Sequence, residues 1–430
     1  MPEGYRSRVD EPTHAAAHTR PRIALMGTHD TKGEEIAWVS ARLESAGCTV
    51  VTIDAGTWSS EERSDIGPAT LASRAGTSIE EVRRRGDRGE AVAVLAEGVR
   101  AVIAEWADAG QIHGVLAVGG SGGSAIAAPA LQSLPLGFPK LLVSTMVSGD
   151  VRPYVGASDV TLTYSVVDIA GMNPVSEMIL DNAVAAVAGM ARAFIQRSTS
   201  TPSARSRPIV VMSMFGVTTP AVDEARARLE GLGYEVLVFH ATGSGGMAME
   251  KLITSGLAIG VCDVTTTELA DELAGGMLSA GPHRLTAAAR CALPQVISVG
   301  AMDMVNFGPP ETVPDRYTDR LLLRHNPAVT LMRTTPEEMS ELGRRLADRV
   351  SSTRGPASVF LPLAGVSSVD VLGQPFYDSE ADHALFKAVR TGLADTDVEL
   401  VELPMAINDV GFGASMADRL HAMISAGGDA

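Results

Sequence analysis

The sequence is poor in cysteine. Cys48, Cys262 and Cys291 are scattered and odd in number, which excludes a disulfide framework and a cysteine-based zinc site. Aromatic residues make up 4% of the chain, so the core is expected to be aliphatic, with Met filling gaps. Basic residues are outnumbered, 35 against 51 acidic, for a formal net charge of −16. That field repels a phosphate backbone and argues against a nucleic-acid binder. No apolar run comes near the ~18–20 residues needed to cross a bilayer, so no membrane span is expected. Residues 1–20 are polar, carry both charge signs and lack an apolar segment. They read as a disordered tail without a secretory signal, and a cytoplasmic location follows.

What is present is enough apolar material, 45% of 430 residues, for two cores. The boundary reads at Gln196–Arg207, QRSTSTPSARSR, a Ser-, Thr-, Pro- and Arg-rich linker. It separates a domain at 21–195 from one at 208–430. Each half alternates short β-branched runs with longer helical stretches. Arg22–Met26, Thr49–Ile53, Gly114–Val118 and Leu141–Ser144 read as strands in the first half. Ile209–Met212, Glu235–Phe239, Ala258–Val261, Gln295–Val299, Val329–Met332 and Ser358–Leu361 do so in the second. Continuous rather than alternating apolar runs suit parallel strands covered on both faces. The fold class expected is α/β: two Rossmann-like open parallel sheets flanked by helices, with an interdomain cleft. The charged stretch Trp58–Glu90 interrupts this pattern. It reads as a solvated insertion, or else as a mobile lid or a partner-binding surface.

Ligands of open parallel sheets bind beyond the carboxyl ends of the strands. Small, hydroxyl-bearing and glycine residues concentrate there. In the first half they are Thr28, Asp30, Thr31 and Lys32, then Gly119, Gly120, Ser121, Gly122, Gly123 and Ser124, then Thr145. In the second they are Thr218 and Thr219, then His240, Thr242, Gly243, Ser244, Gly245 and Gly246, then Asp263, Thr265 and Thr266, with Asp303 and Asn306 after a later strand. GSGGSA at Gly120–Ala125 and GSGGMA at Gly243–Ala248 both satisfy G-x-G-x-x-A. Such loops turn amides toward an anion at a helix start. Neither has the context of a dinucleotide fingerprint, and a tight turn without ligand stays open as a reading.

The Gly27–Gly33 loop packs a hydroxyl, an imidazole, a carboxylate, a second hydroxyl and an ammonium into five consecutive residues. The sequence lacks G-x-x-x-x-G-K-[ST], so it is not a P-loop NTPase. Lys32 can still pair with phosphate oxygens as a point charge. Asp30 can hold Mg²⁺ directly or through water. Alternatively Asp30 or Thr31 merely caps a helix beginning at Gly33. His29, His240 and His325 fall in loops, and no close histidine pair suits zinc.

These motifs carry a resemblance. GTHDTKGEE at Gly27–Glu35, GGSGGS at Gly119–Ser124, FGVTTP at Phe215–Pro220 and HATGSGGMAME at His240–Glu250 open it. DVTTTEL at Asp263–Leu269, DMVNFG at Asp303–Gly308, HNPAVTLMRTT at His325–Thr335, LPLAGVSSVD at Leu361–Asp370, PFYDSEAD at Pro375–Asp382 and IND at Ile407–Asp409 continue it. The chain resembles a family of uncharacterised two-domain proteins. These in turn are similar to the N-terminal ATP-binding region of the tomato mosaic virus resistance protein. The resemblance implies two Rossmann-like domains, ATP with Mg²⁺ in the first, and a homodimer. The plant relative has a further TIM-barrel-like domain, for which a separate partner protein is expected here. His29 stands where the pattern has an apolar residue, a change expected to act on nucleotide preference.

Three functions compete. One is an ATP-dependent enzyme acting on a small anionic metabolite held by the second domain. Another is a nucleotide-sensing interaction module. The third is an ATP-independent isomerase, lyase or hydrolase whose glycine loops hold a substrate anion. No paired nucleophile and base is legible in the sequence.

Overall fold

A computed structural model describes residues 20–60, 64–199 and 207–428. The expected tail falls almost wholly outside these residues, as does the middle of the expected linker. Gln196–Thr199, the start of that linker, instead finish a helix. The chain divides into two compact units between residues 201 and 202.

The first unit runs β1 (Arg22–Gly27), α1 (His29–Ser45), β2 (Thr49–Asp54), α2 (Pro68–Arg74), α3 (Ile79–Arg85), α4 (Arg88–Asp108) and β3 (Gly114–Gly119). It continues through α5 (Ser121–Ser133), β4 (Lys140–Ser144), α6 (Arg152–Val155), β5 (Thr161–Tyr164) and α7 (Pro174–Thr199). The five strands are parallel, in the order β2-β1-β3-β4-β5. Side-chain alternation explains the continuous apolar runs. Ile23 and Leu25 of β1 join a core with α1 and α7 on one face. Ala24 and Met26 face a second core with α2 to α5.

Trp58–Glu90 is not a solvated insertion. It contains the helices α2 and α3, and Leu71, Ala72, Ile79 and Val82 enter the second core. Part of its charge lies on outer helix faces, with Arg84 and Arg85 paired to Glu81. Nor is the chain without a long apolar segment. The 26-residue α7 is long and apolar enough to cross a membrane by length and composition. It lays Leu180, Val184, Val187 and Ala191 against the sheet as a core helix.

The second unit runs β6 (Ile209–Met214), α8 (Thr219–Gly231), β7 (Glu235–His240), α9 (Ser244–Thr254), β8 (Gly260–Thr265), α10 (Glu268–Ala274), α11 (Ala287–Arg290) and β9 (Gln295–Gly300). Then come β10 (Met304–Phe307), β11 (Leu322–Asn326), β12 (Val329–Arg333), α12 (Pro336–Ser351), β13 (Ala357–Pro362), α13 (Ser379–Leu393), β14 (Glu399–Leu403) and α14 (Phe412–Gly428). Six strands form a parallel sheet ordered β14-β13-β9-β8-β6-β7. Val329–Met332 does not join it. It lies in β12, the centre of a separate antiparallel sheet ordered β10-β12-β11. A short apolar run reports burial, not pairing direction.

Candidate functional site

Three loops of the first unit meet beyond the carboxyl ends of β1, β2 and β3. They border a cavity of about 550 Å³. From β1 the chain moves outward to β2, while β3 lies on the other side of β1. This is a topological switch point, where loops diverge and leave a crevice.

The loop after β1 supplies Thr28, Asp30, Thr31 and Lys32. α1 spans His29–Ser45 but is kinked at Lys32, so its regular part begins at Gly33, the expected start. Thr28 is its N-cap residue without a side-chain capping bond, so neither Asp30 nor Thr31 caps it. The Thr28 and Thr31 hydroxyls lie 2.9 Å apart. Lys32 departs from helical geometry and its ammonium donates to the Ile169 carbonyl. The Asp30 carboxylate accepts the Trp58 N–H at 3.2 Å and lies over Gly56.

The loop after β3 supplies Gly120, Ser121, Gly122 and Gly123, at the start of the 13-residue α5. None of these glycines has a positive φ. A Cβ on Gly120, Gly122 or Gly123 would meet no atom of the chain closer than 3.6 Å. Gly119 differs: its Cβ would fall 2.9 Å from Gly123 Cα, so close packing of strand on helix requires it. Ser124 is buried and bonds Ser144 at 2.6 Å. Thr145 stands next to Gly120, with its hydroxyl 3.8 Å from where a Cβ would be. Gly119, Ser124 and Thr145 support the loop without lining the cavity.

The segment between β2 and β3 closes the remaining sides with Trp58, Val82, Arg83 and Arg88. Arg83 donates to the Thr57 carbonyl at 2.7 Å and the Ser59 carbonyl at 3.0 Å. These residues are not among those the strand-end pattern singles out. Their signal was the charged stretch itself, because helical spacing cannot say which arginine turns inward. His29 is also resolved by the fold. Its ring is buried, with Nδ1 3.8 Å from the Asp54 carboxylate, and it does not line the cavity. The departure from an apolar residue is therefore not a contact in this cavity.

In the second unit the expected anion donors are engaged by the chain. The Gly243 and Gly246 amides donate to Glu268 Oε1 at 2.7 and 3.1 Å. A carboxylate from the start of α10 thus occupies the N-terminus of α9, where helix amides and dipole favour negative charge. Arg284 neutralises it, with Nε 2.5 Å from Glu268 Oε2. Its other nitrogens clasp Asp263, at 2.5 and 2.7 Å. All three residues are buried. Burial pushes the Glu268 carboxyl upward against the pull of Arg284.

The neighbouring hydroxyls are also spent. Thr218 and Thr265 bond each other at 2.7 Å, and Thr266 donates to the Ser298 carbonyl at 2.9 Å. Thr219 and Thr242 donate to nearby carbonyls of their own loops. His240 is exposed and stacks edge-on with Phe215 at 5.4 Å between centroids. Ser244 and Gly245 open α9, with Ser244 exposed.

Asp303 and Asn306 belong to two other buried groups. Asn306 donates to Asp271 at 2.8 Å. Burial pushes Asp271 up to about 7. Asp303 accepts from Ser367 at 2.9 Å and shares Arg333 with Asp370 and Asp382. Burial, reinforced by the Asp303 charge, pushes Asp370 up to about 10, and it shares a hydrogen bond with Asp382. Burial raises Asp303, Asp370 and Asp382 together around one guanidinium, so the three titrate as a coupled group and favour a retained proton. Among the described residues, no group of three His, Cys, Asp or Glu side chains is arranged to hold a metal ion.

Comparison with known proteins bears on both units. Residues 21–196 match the N-terminal domain of the uncharacterised protein family UPF0261, and residues 207–424 match its C-terminal domain. A UPF0261 protein of Clostridium tetani is 44% identical over 94% of this chain and 99% of that protein. One of Rhizobium meliloti is 45% identical over 91% and 96%. The ToMV resistance protein Tm-1 of Solanum lycopersicum is 37% identical over 94% of this chain but 56% of its own length. Both halves of the chain, in the same order and over nearly their full length, thus place it in the UPF0261 family.

Proposed function

We propose that the first unit binds ATP with Mg²⁺. The observation that carries this reading is the glycine run. Gly120, Gly122 and Gly123 need neither a positive φ nor close packing, so nothing in the polypeptide demands glycine there. The volume their side chains would take is cavity. Glycine in that position lets a ligand approach the backbone of a helix N-terminus, the arrangement that suits phosphate. A second helix, α1, starts at the same cavity. The donor set also fits the metal. Asp30 offers one carboxylate on the cavity wall, and Mg²⁺ is commonly held by one or two carboxylates together with phosphate and water. Mg²⁺ bound there would neutralise phosphate charge, while the chain's residues position the phosphates.

A nucleotide-sensing role is the second reading, favoured by one observation. The donors expected to hold a metabolite in the second unit already serve Glu268, Asp263 and neighbouring carbonyls. An ATP-dependent enzyme would need its anionic substrate elsewhere.

Calorimetric titration of the purified chain with ATP and Mg²⁺ tests the proposal. Gly122→Val should retain the circular dichroism of the parent, because its Cβ meets only the end of Arg88. Binding should fall at least about tenfold, the loss of ~1.4 kcal/mol or more. A folded variant with parental affinity would make the loop a mere turn. Measuring phosphate release in the same samples separates turnover from sensing.

A further inference from the structure

On the ATP reading above, we infer that Arg88, rather than Lys32, pairs with the nucleotide phosphates. Three cations line the cavity: Lys32, Arg83 and Arg88. Two are already committed. The Lys32 ammonium donates to the Ile169 carbonyl, and the Arg83 guanidinium is held by the Thr57 and Ser59 carbonyls. Arg88 is different. Among the described residues its side chain has no hydrogen bond, ion pair or ring contact, although acidic groups outnumber basic ones in the chain.

Its place in the helix points the same way. Arg88 is the first residue of the 21-residue α4, directly after the Asp87 cap. A cation there opposes the helix dipole, which favours negative charge in the first turn. Helix stability therefore does not account for an arginine at this position. Its surroundings do. One terminal nitrogen of Arg88 lies 3.6 Å from where a Gly122 Cβ would stand. The guanidinium thus stands beside Gly122 at the start of α5, and both line the cavity that an anion would enter. A planar fork of N–H donors suits phosphate oxygens, and with no internal partner to give up, it meets them without breaking an existing bond.

Lys32 then acts as a positioning residue. Its bond to Ile169 ties the start of α1 to the chain before α7.

The test compares Arg88→Ala, Arg88→Lys and Lys32→Ala in the full chain. ATP with Mg²⁺ is titrated calorimetrically, and adenosine is followed by saturation-transfer NMR. Arg88→Ala should lose about ten- to a hundredfold in ATP affinity, as expected for a charged hydrogen bond, with adenosine binding unchanged. Arg88→Lys should recover part of the loss, because a point charge replaces a fork. Lys32→Ala should affect ATP less than Arg88→Ala. Parental ATP affinity in Arg88→Ala would overturn the assignment while leaving the ATP reading intact. Equal losses of ATP and adenosine would overturn it too, because the residue would then be shaping the fold. Failure of the unaltered chain to bind ATP would overturn both readings together.

Discussion

Replacing Arg284 with Met should destabilise the second unit by about 3–5 kcal/mol, the cost of stranding buried charge. Arg284 contacts Asp263 through two nitrogens and Glu268 through a third, with Glu250 at 3.4 Å. Each carboxylate attracts it by about 4 kcal/mol at ~4 Å in an effective dielectric of 20, before desolvation is counted. The unpaired carboxylates would take up protons or draw in water, which limits the loss. Met fills most of the volume, so a cavity adds little. Spectroscopy can separate the two units. Trp38, Trp58 and Trp106 all lie in the first, so tryptophan fluorescence reports that unit alone, while far-ultraviolet circular dichroism reports both. Urea unfolding of Arg284→Met should move the dichroism transition strongly to lower denaturant. Adding Asp263→Asn and Glu268→Gln should recover much of the loss, because neutral partners need no cation. A dichroism midpoint unchanged in the single variant would refute the argument that Arg284 neutralises this cluster.

Three further outcomes follow from packing and charge. Asp370 is raised to about 10 by burial and neighbouring carboxylates, whereas it releases its proton near pH 4 when unfolded. Its stabilising contribution is therefore complete below about pH 4 and declines as pH rises toward about 10, by at most ~1.4 kcal/mol per pH unit. Urea midpoints measured from pH 5.5 to 8.5 should fall less steeply in Asp370→Asn than in the parent, and parallel profiles would exclude a retained proton. Gly119→Ala should destabilise the first unit by about 1–3 kcal/mol through overpacking, since its Cβ falls 2.9 Å from the backbone of Gly123. Gly122→Ala in the same fluorescence assay should lie within ~1 kcal/mol of the parent, because nothing crowds it.

Much of the architecture can be read along the chain. Buried parallel strands announce themselves as continuous apolar runs such as RIALM and GVLAV, with helical spacing between them. Helix starts are marked as well: Thr335 and Glu338 form a capping box on α12, and Ser78 and Asp87 cap α3 and α4. The loops around the cavity stand at strand ends, where small and hydroxyl-bearing residues gather. All of this depends on residues within one or two turns of each other, so local patterning is enough to specify it.

Other features depend on which distant residues meet. Val329–Met332 is apolar whether its partner runs parallel or antiparallel, and β10 and β11 decided that. GSGGMA at Gly243–Ala248 resembles GSGGSA at Gly120–Ala125. The first receives the Glu268 carboxylate from 25 residues away, while the second faces a cavity. Arg284 reads as a loop arginine until the fold buries it between two carboxylates. Sequence determined that there would be two helix starts rich in glycine. The tertiary structure alone decided which would be filled, because a charge's partner is set by distance in space, and neither spacing nor composition records that distance.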